Sequence, residues 1–171
     1  MEKINLAEMQ RTVHETALEK GWWEKSRTNL EDGTLWISEL YEGFEVYRKF
    51  GTFWAEEVEP GKYEGFCVEL ADLIIRIMDS LAYNDYHIVD KDNYSEMIVG
   101  TNTTEPVEFI NWCERFIQKY YIEEDDLRAA EYLIYQVFRF CRRIQMNLPL
   151  FLKLKVEYNK TRSYRHGNKT L

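Results

Sequence analysis

Residues 63–83 constrain this chain more than any other stretch. Leu70, Leu73, Ile74, Ile77, Met78 and Leu81 place apolar groups on more than one side of a helix, which predicts a central helix with neighbours all round. One polar stripe crosses it: Glu69, Asp72, Arg76 and Asp79 stand at offsets 0, 3, 7 and 10. A charge buried without a partner costs several kcal/mol, so this stripe demands partners. They can be a metal ion, the carboxylates of another helix, or Arg76 itself.

The remaining periodic segments are also helical. Residues 4–20 form a first helix with Leu6, Met9, Val13 and Leu18 as inward positions. Residues 30–49 form a second, with Trp36, Leu40, Phe44 and Tyr47 in one stripe. A further helix starts near Thr104 and Pro106, with Thr as cap and Pro in the first turn, and runs to about 120. The acids Glu123 to Asp126 open a long helix reaching about 146, and a last one covers 150–160. Gly51 to Gly61 reads as an acidic loop, 84–104 as a connector, and 86–89 as the one short strand candidate. The expected fold is all-α: an antiparallel helical bundle occupying residues 1–171 as a single domain, with 84–149 as an added helical hairpin. A chain of this length buries roughly 70% of its unfolded surface.

Charge narrows the function classes. Residues 153–171 hold six Lys or Arg against one Glu, a local +5, so the preceding 152 residues carry −13 of the total −8. An acidic body argues against binding a nucleic acid polymer. A short basic tail beside acidic helices suits a smaller polyanion arriving with a metal, although a solvated terminus has the same composition. No apolar run is long enough to span a membrane, the N-terminus lacks a signal-peptide core, and the three cysteines form no disulfide framework or zinc motif. These features point to a cytoplasmic protein without a membrane partner.

Two acidic pairs, Glu39 with Glu42 and Glu69 with Asp72, each have i,i+3 spacing on an expected helix. Side by side, the two helices would aim four carboxylates at one point, and oxygen ligands suit Mg²⁺ or Mn²⁺. Acidic pairs at this spacing are also common on solvated helices, and spacing does not separate the two cases.

The segments ISELYEGFEVYRK (37–49), VELADLIIRIMDSLA (68–82) and LKVEYNKTRSYRHGNK (154–169) resemble, in that order, the MazG-like members of the all-α NTP pyrophosphohydrolase superfamily. The resemblance covers the first three helices and the C-terminal motif; residues 84–149 carry no motif. It implies a helical bundle that hydrolyses nucleoside triphosphates to monophosphate and pyrophosphate with Mg²⁺, or Mn²⁺, as cofactor. It further implies that Glu39, Glu42, Glu69 and Asp72 bind the metal and that a glutamate of the first motif, Glu39 or Glu42, activates water. Asp79, Lys155, Asn159, Arg162, His166 and Lys169 match substrate-binding positions, and Trp23 and Asn29 lie where relatives place substrate contacts. Ser38 stands where many relatives have the first Glu of EExxE, and HGNK replaces HGK or HGGK. A homodimer or homotetramer is the implied assembly. Two other readings accompany this one: a helical module that binds a nucleotide or protein without turnover, and a dimeric dUTPase-type relative. Trp22, Trp36, Tyr41 and Phe53 are further candidates for stacking on a base, with the core as the preferred reading of each.

Overall fold

The computed structural model describes residues 4–89 and 100–165. Among them are six α-helices and one two-stranded sheet: α1 (Leu6–Glu19), α2 (Asn29–Phe50), β1 (Ala55–Glu59), β2 (Lys62–Gly65), α3 (Phe66–Tyr83), α4 (Pro106–Phe116), α5 (Leu127–Arg143) and α6 (Leu148–Thr161). The mostly helical class expected from periodicity is present.

Local chemistry sets the ends of these helices. Asn5 caps α1 by accepting from the Glu8 amide. Thr28 and Glu31 form a reciprocal capping box that starts α2, and Gly51 ends it in the left-handed conformation, at φ 64°. Asp126 and Asn147 cap α5 and α6 through their side chains. The expected Thr104 cap is not used: Glu105 occupies the cap position of α4 without a side-chain bond, and Pro106 starts the helix.

α3 is the hub. It packs against α1, α2, α5 and α6, and Phe66, Leu70, Leu73, Ile74, Ile77, Met78 and Leu81 are fully buried. α4 packs on α2, and α5 lies on α3. The segment anticipated as an added helical hairpin therefore covers the α2–α3 pair. Cys67, Cys113 and Cys141 are buried in this core as free thiols.

Leu18, expected to face inward, is 53% exposed, and three further expectations need correction. The acidic stretch 51–61 is not all loop, because 55–65 folds into an antiparallel hairpin pairing Ala55 with Gly65 and Glu57 with Tyr63. Its turn is held by Gly61 at φ 78°, whose amide donates to Glu57 Oε1 at 2.7 Å. Consequently α3 begins at Phe66 rather than 63. Residues 86–89 form no strand; Ile88 instead buries its side chain and donates its amide to Gln10 Oε1 at 3.0 Å. Finally, α4 runs into a π-helical segment, Ile117–Glu123, and α5 starts only at Leu127. The wider turn places Tyr121 in the core, stacked on Trp36 with ring centroids 3.9 Å apart.

Candidate functional site

α2 and α3 lie side by side and bring their polar stripes together. One carboxylate oxygen from each of Glu39, Glu69 and Asp72 falls within 4.8 Å of the others. Three acids this close can hold a metal ion, and the all-oxygen donor set fits a hard divalent cation. Glu42 is more exposed; it lines the same cavity but stands outside that trio. The four-carboxylate convergence expected from spacing is therefore a convergence of three, with the fourth at the wall.

The local electrostatics show how far these charges are from being balanced. Burial is the main cause that pushes Glu69 up to about 8, with Asp72 adding to it and Lys155 opposing. Burial likewise lifts Glu39 to about 7, against the pull of Arg76. Two cationic side chains touch the cluster. Arg76 Nε donates to Glu39 Oε1, and Lys155 Nζ lies 2.6 Å from Asp72 Oδ2, with both side chains largely buried. Burial alone would lower the Lys155 pKa, but Asp72, followed by Glu69 and Glu39, holds it above its ordinary value.

These groups line one cavity of about 500 Å³. Its wall carries eight carboxyl groups against six Lys or Arg side chains. α6 supplies Lys155, Asn159 and Arg162, as the C-terminal motif suggested. The hairpin contributes Lys62, Tyr63 and Glu64 at one end. No family model, curated protein or solved structure matches the chain.

At the other end of the cavity stands a second polar cluster. Seven residues separate Asp32 from Glu39 and Asp72 from Asp79 along their helices, or roughly 10 Å of helical rise. Asp79 accepts from Trp23 Nε1 at 2.8 Å, lies 2.8 Å from His14 Nδ1 and pairs with Arg27 at 3.5 Å. Arg27 also pairs with buried Asp32 at 2.9 Å and lies over the Trp23 ring, 3.9 Å from its centroid. Burial raises the Asp32 pKa despite Arg27.

The structure places the other expected substrate residues as follows. Asp79 lines the cavity, but its carboxylate is engaged by His14, Trp23 and Arg27. Trp23 is stacked on Tyr83 at 3.8 Å and is not part of the cavity wall; Trp22 and Trp36 are. Asn29 is also away from the wall, donating to Asp125 Oδ1 at 2.5 Å. Of the remaining stacking candidates, Tyr41 donates to Glu114 on the surface and Phe53 packs on Phe66. His166 and Lys169 lie outside the described residues.

Three contributors escape the sequence: His14, Arg27 and the hairpin stretch 62–64. His14 and Arg27 are 65 and 52 positions from Asp79, a separation that no local pattern reveals. Lys62 follows the expected loop, and Tyr63 and Glu64 fall within the expected third helix, so the sequence does not mark them as a strand. Arg76, expected as one partner of the polar stripe, donates to Glu39 of the neighbouring helix.

Proposed function

We propose that the protein is a metal-dependent nucleoside triphosphate pyrophosphohydrolase of MazG-like type, converting a (d)NTP and water into the (d)NMP and pyrophosphate. One observation carries this reading: the Glu39, Glu69 and Asp72 oxygens converge within 4.8 Å on the wall of a cavity that also holds Lys155, Asn159 and Arg162. Acids that can bind a cation and basic groups that can bind phosphate thus share one space of suitable size for a small ligand.

Glu39, Glu69 and Asp72 would hold Mg²⁺, with Mn²⁺ as a substitute. When bound, the ion supplies Lewis-acid polarisation of phosphate oxygens and charge neutralisation. Lys155 would meet phosphate as a point charge, while the Arg162 fork matches a pair of phosphate oxygens. Asn159 would donate its amide to phosphate or sugar. Glu42, outside the carboxylate trio and open to solvent, is the better placed of the two first-motif glutamates to take a proton from water. The water oxygen bonds to the α-phosphorus, the bond from α-phosphorus to the bridging oxygen breaks, and the electron pair leaves with pyrophosphate.

Hydrolysis in ¹⁸O-water tests the bond cleaved. The expected result is label in the monophosphate and none in the pyrophosphate, read by mass spectrometry. Label in inorganic phosphate would indicate attack at the terminal phosphorus instead. A second reading, a nucleotide-binding module without turnover, is favoured by the ion pairs Arg76–Glu39 and Lys155–Asp72, which give two of the acids cationic partners from the chain itself. Calorimetric binding of a nucleotide with no product formed would select it.

A further inference from the structure

We propose that Lys155 is a resident counter-ion of Asp72 that yields its place to a divalent cation and then serves the phosphates, so that metal and phosphate strengthen each other's binding. The proposal rests on the hydrolase reading for its phosphate half; its metal half stands on the ion pair itself.

Lys155 Nζ is 2.6 Å from Asp72 Oδ2, and the two side chains are only 13% and 17% exposed. An Asp72 oxygen that accepts from an ammonium is not free to ligate a metal, so a cation entering the trio competes with Lys155. The lysine can move without disturbing the fold. Leu152 and Val156 beside it are buried and fix α6, while the flexible four-carbon stem can reach another rotamer. Arg76 is less suited to leave, because its guanidinium is planar and rises from α3 itself.

The displaced ammonium has a place to go. Asn159 stands four residues beyond Lys155 on α6, on the same face. Its Oδ1 is buried in the cavity wall and has no hydrogen-bond partner. A buried acceptor left unsatisfied costs about 1–3 kcal/mol, and an ammonium turned away from Asp72 would remove that cost. Arg162 is the other basic group that α6 lends to the cavity. A phosphate that draws Lys155 off Asp72 opens the metal site, and a metal that frees Lys155 readies it for phosphate. Linkage makes the two effects equal.

Calorimetric titration of the full chain with Mg²⁺, without nucleotide, tests this. Lys155→Met is expected to bind Mg²⁺ roughly ten- to a hundredfold more tightly than the wild type, the range carried by one lost charged hydrogen bond. Arg162→Met removes an equal charge from the same cavity and is expected to tighten binding far less. Asn159→Leu retains the lysine, serves if Lys155→Met does not fold, and is expected to weaken Mg²⁺ binding severalfold. With an α,β-methylene triphosphate analogue present, the gain in Mg²⁺ affinity should be smaller in Lys155→Met than in the wild type. Equal tightening in Lys155→Met and Arg162→Met, or unchanged affinity in Lys155→Met or Asn159→Leu, would overturn the proposal while leaving the hydrolase reading intact. Conversely, the expected Mg²⁺ affinities in a protein that releases no pyrophosphate would retain the counter-ion role and remove the hydrolase reading. Absence of Mg²⁺ binding in every variant would remove the metal site and the proposal together.

Discussion

Glu69 shows what the fold asks of a single residue. Burial and the neighbouring Asp72 raise its carboxyl from the ordinary 4.5 to about 8. The sign of the consequence follows from linkage. Below the unfolded value both states are protonated and the folded state carries no penalty. As pH rises toward 8, the unfolded chain ionises freely while the folded one resists, so stability falls. Each pKa unit is worth about 1.36 kcal/mol, which makes the loss on the order of a few kcal/mol. Calorimetric melting in chelator is therefore expected to show a Tm that declines between pH 5 and 8. Added Mg²⁺ should restore it, and Glu69→Gln should flatten the decline and abolish the Mg²⁺ response. A metal-free Tm that rises over this interval would contradict the described environment. At this scale the sequence was informative about residue type and poor about pairing. Glu39, Glu69 and Asp72 were legible because helical spacing puts such residues on one face. The partners of Asp79 were not, because His14 and Arg27 arrive from α1 and from the turn that follows it.

Among the elements, helices were legible and the hairpin was not, for one physical reason. Helix α3 announces itself by apolar residues at helical spacing, whereas β1, AEEVE, carries acids on both faces and lies largely exposed. A strand held by backbone pairing to its neighbour leaves no hydrophobic alternation to read. The Pro60–Gly61 turn was its one local mark. Gly65 joins hairpin to α3 at φ 154°, where an added Cβ would stand 2.5 Å from Ala55 Cα and from the Trp54 carbonyl oxygen. Gly65→Ala must therefore move backbone, at a cost of roughly 1–3 kcal/mol. The expected outcome is a Tm several degrees lower, together with a raised KM for nucleotide, because the hairpin forms one end of the cavity. Unchanged stability and KM would show that the hairpin neither strains nor borders the site. The π-helical segment after α4 was equally hidden, since its apolar residues differ from α-helical spacing by a single extra residue per turn.

Across the whole molecule, the uneven charge seen in the sequence becomes a spatial arrangement. The acidic helices α2 and α3 present their carboxylates to a cavity, and the basic end of the chain supplies Lys155 and Arg162 to the same space. The tail continues back across the first turn: the Arg165 amide donates to the Lys20 carbonyl at 3.0 Å, and its guanidinium pairs with Glu24 at 3.0 Å. Composition alone was equally consistent with a solvated terminus, because it records how many charges a segment has and not which surface they meet. Among the described residues no helix is long and apolar enough to cross a membrane. The account stands on the carboxylate trio acting with the basic groups of α6 on one nucleotide. A pyrophosphate-release screen over canonical and modified (d)NTPs, with Mg²⁺ and with Mn²⁺, tests this most directly. Metal-dependent release from at least one nucleotide is expected in the wild type, with none above background in Asp72→Asn. No release from any nucleotide with either metal, or release that survives Asp72→Asn undiminished, would contradict it.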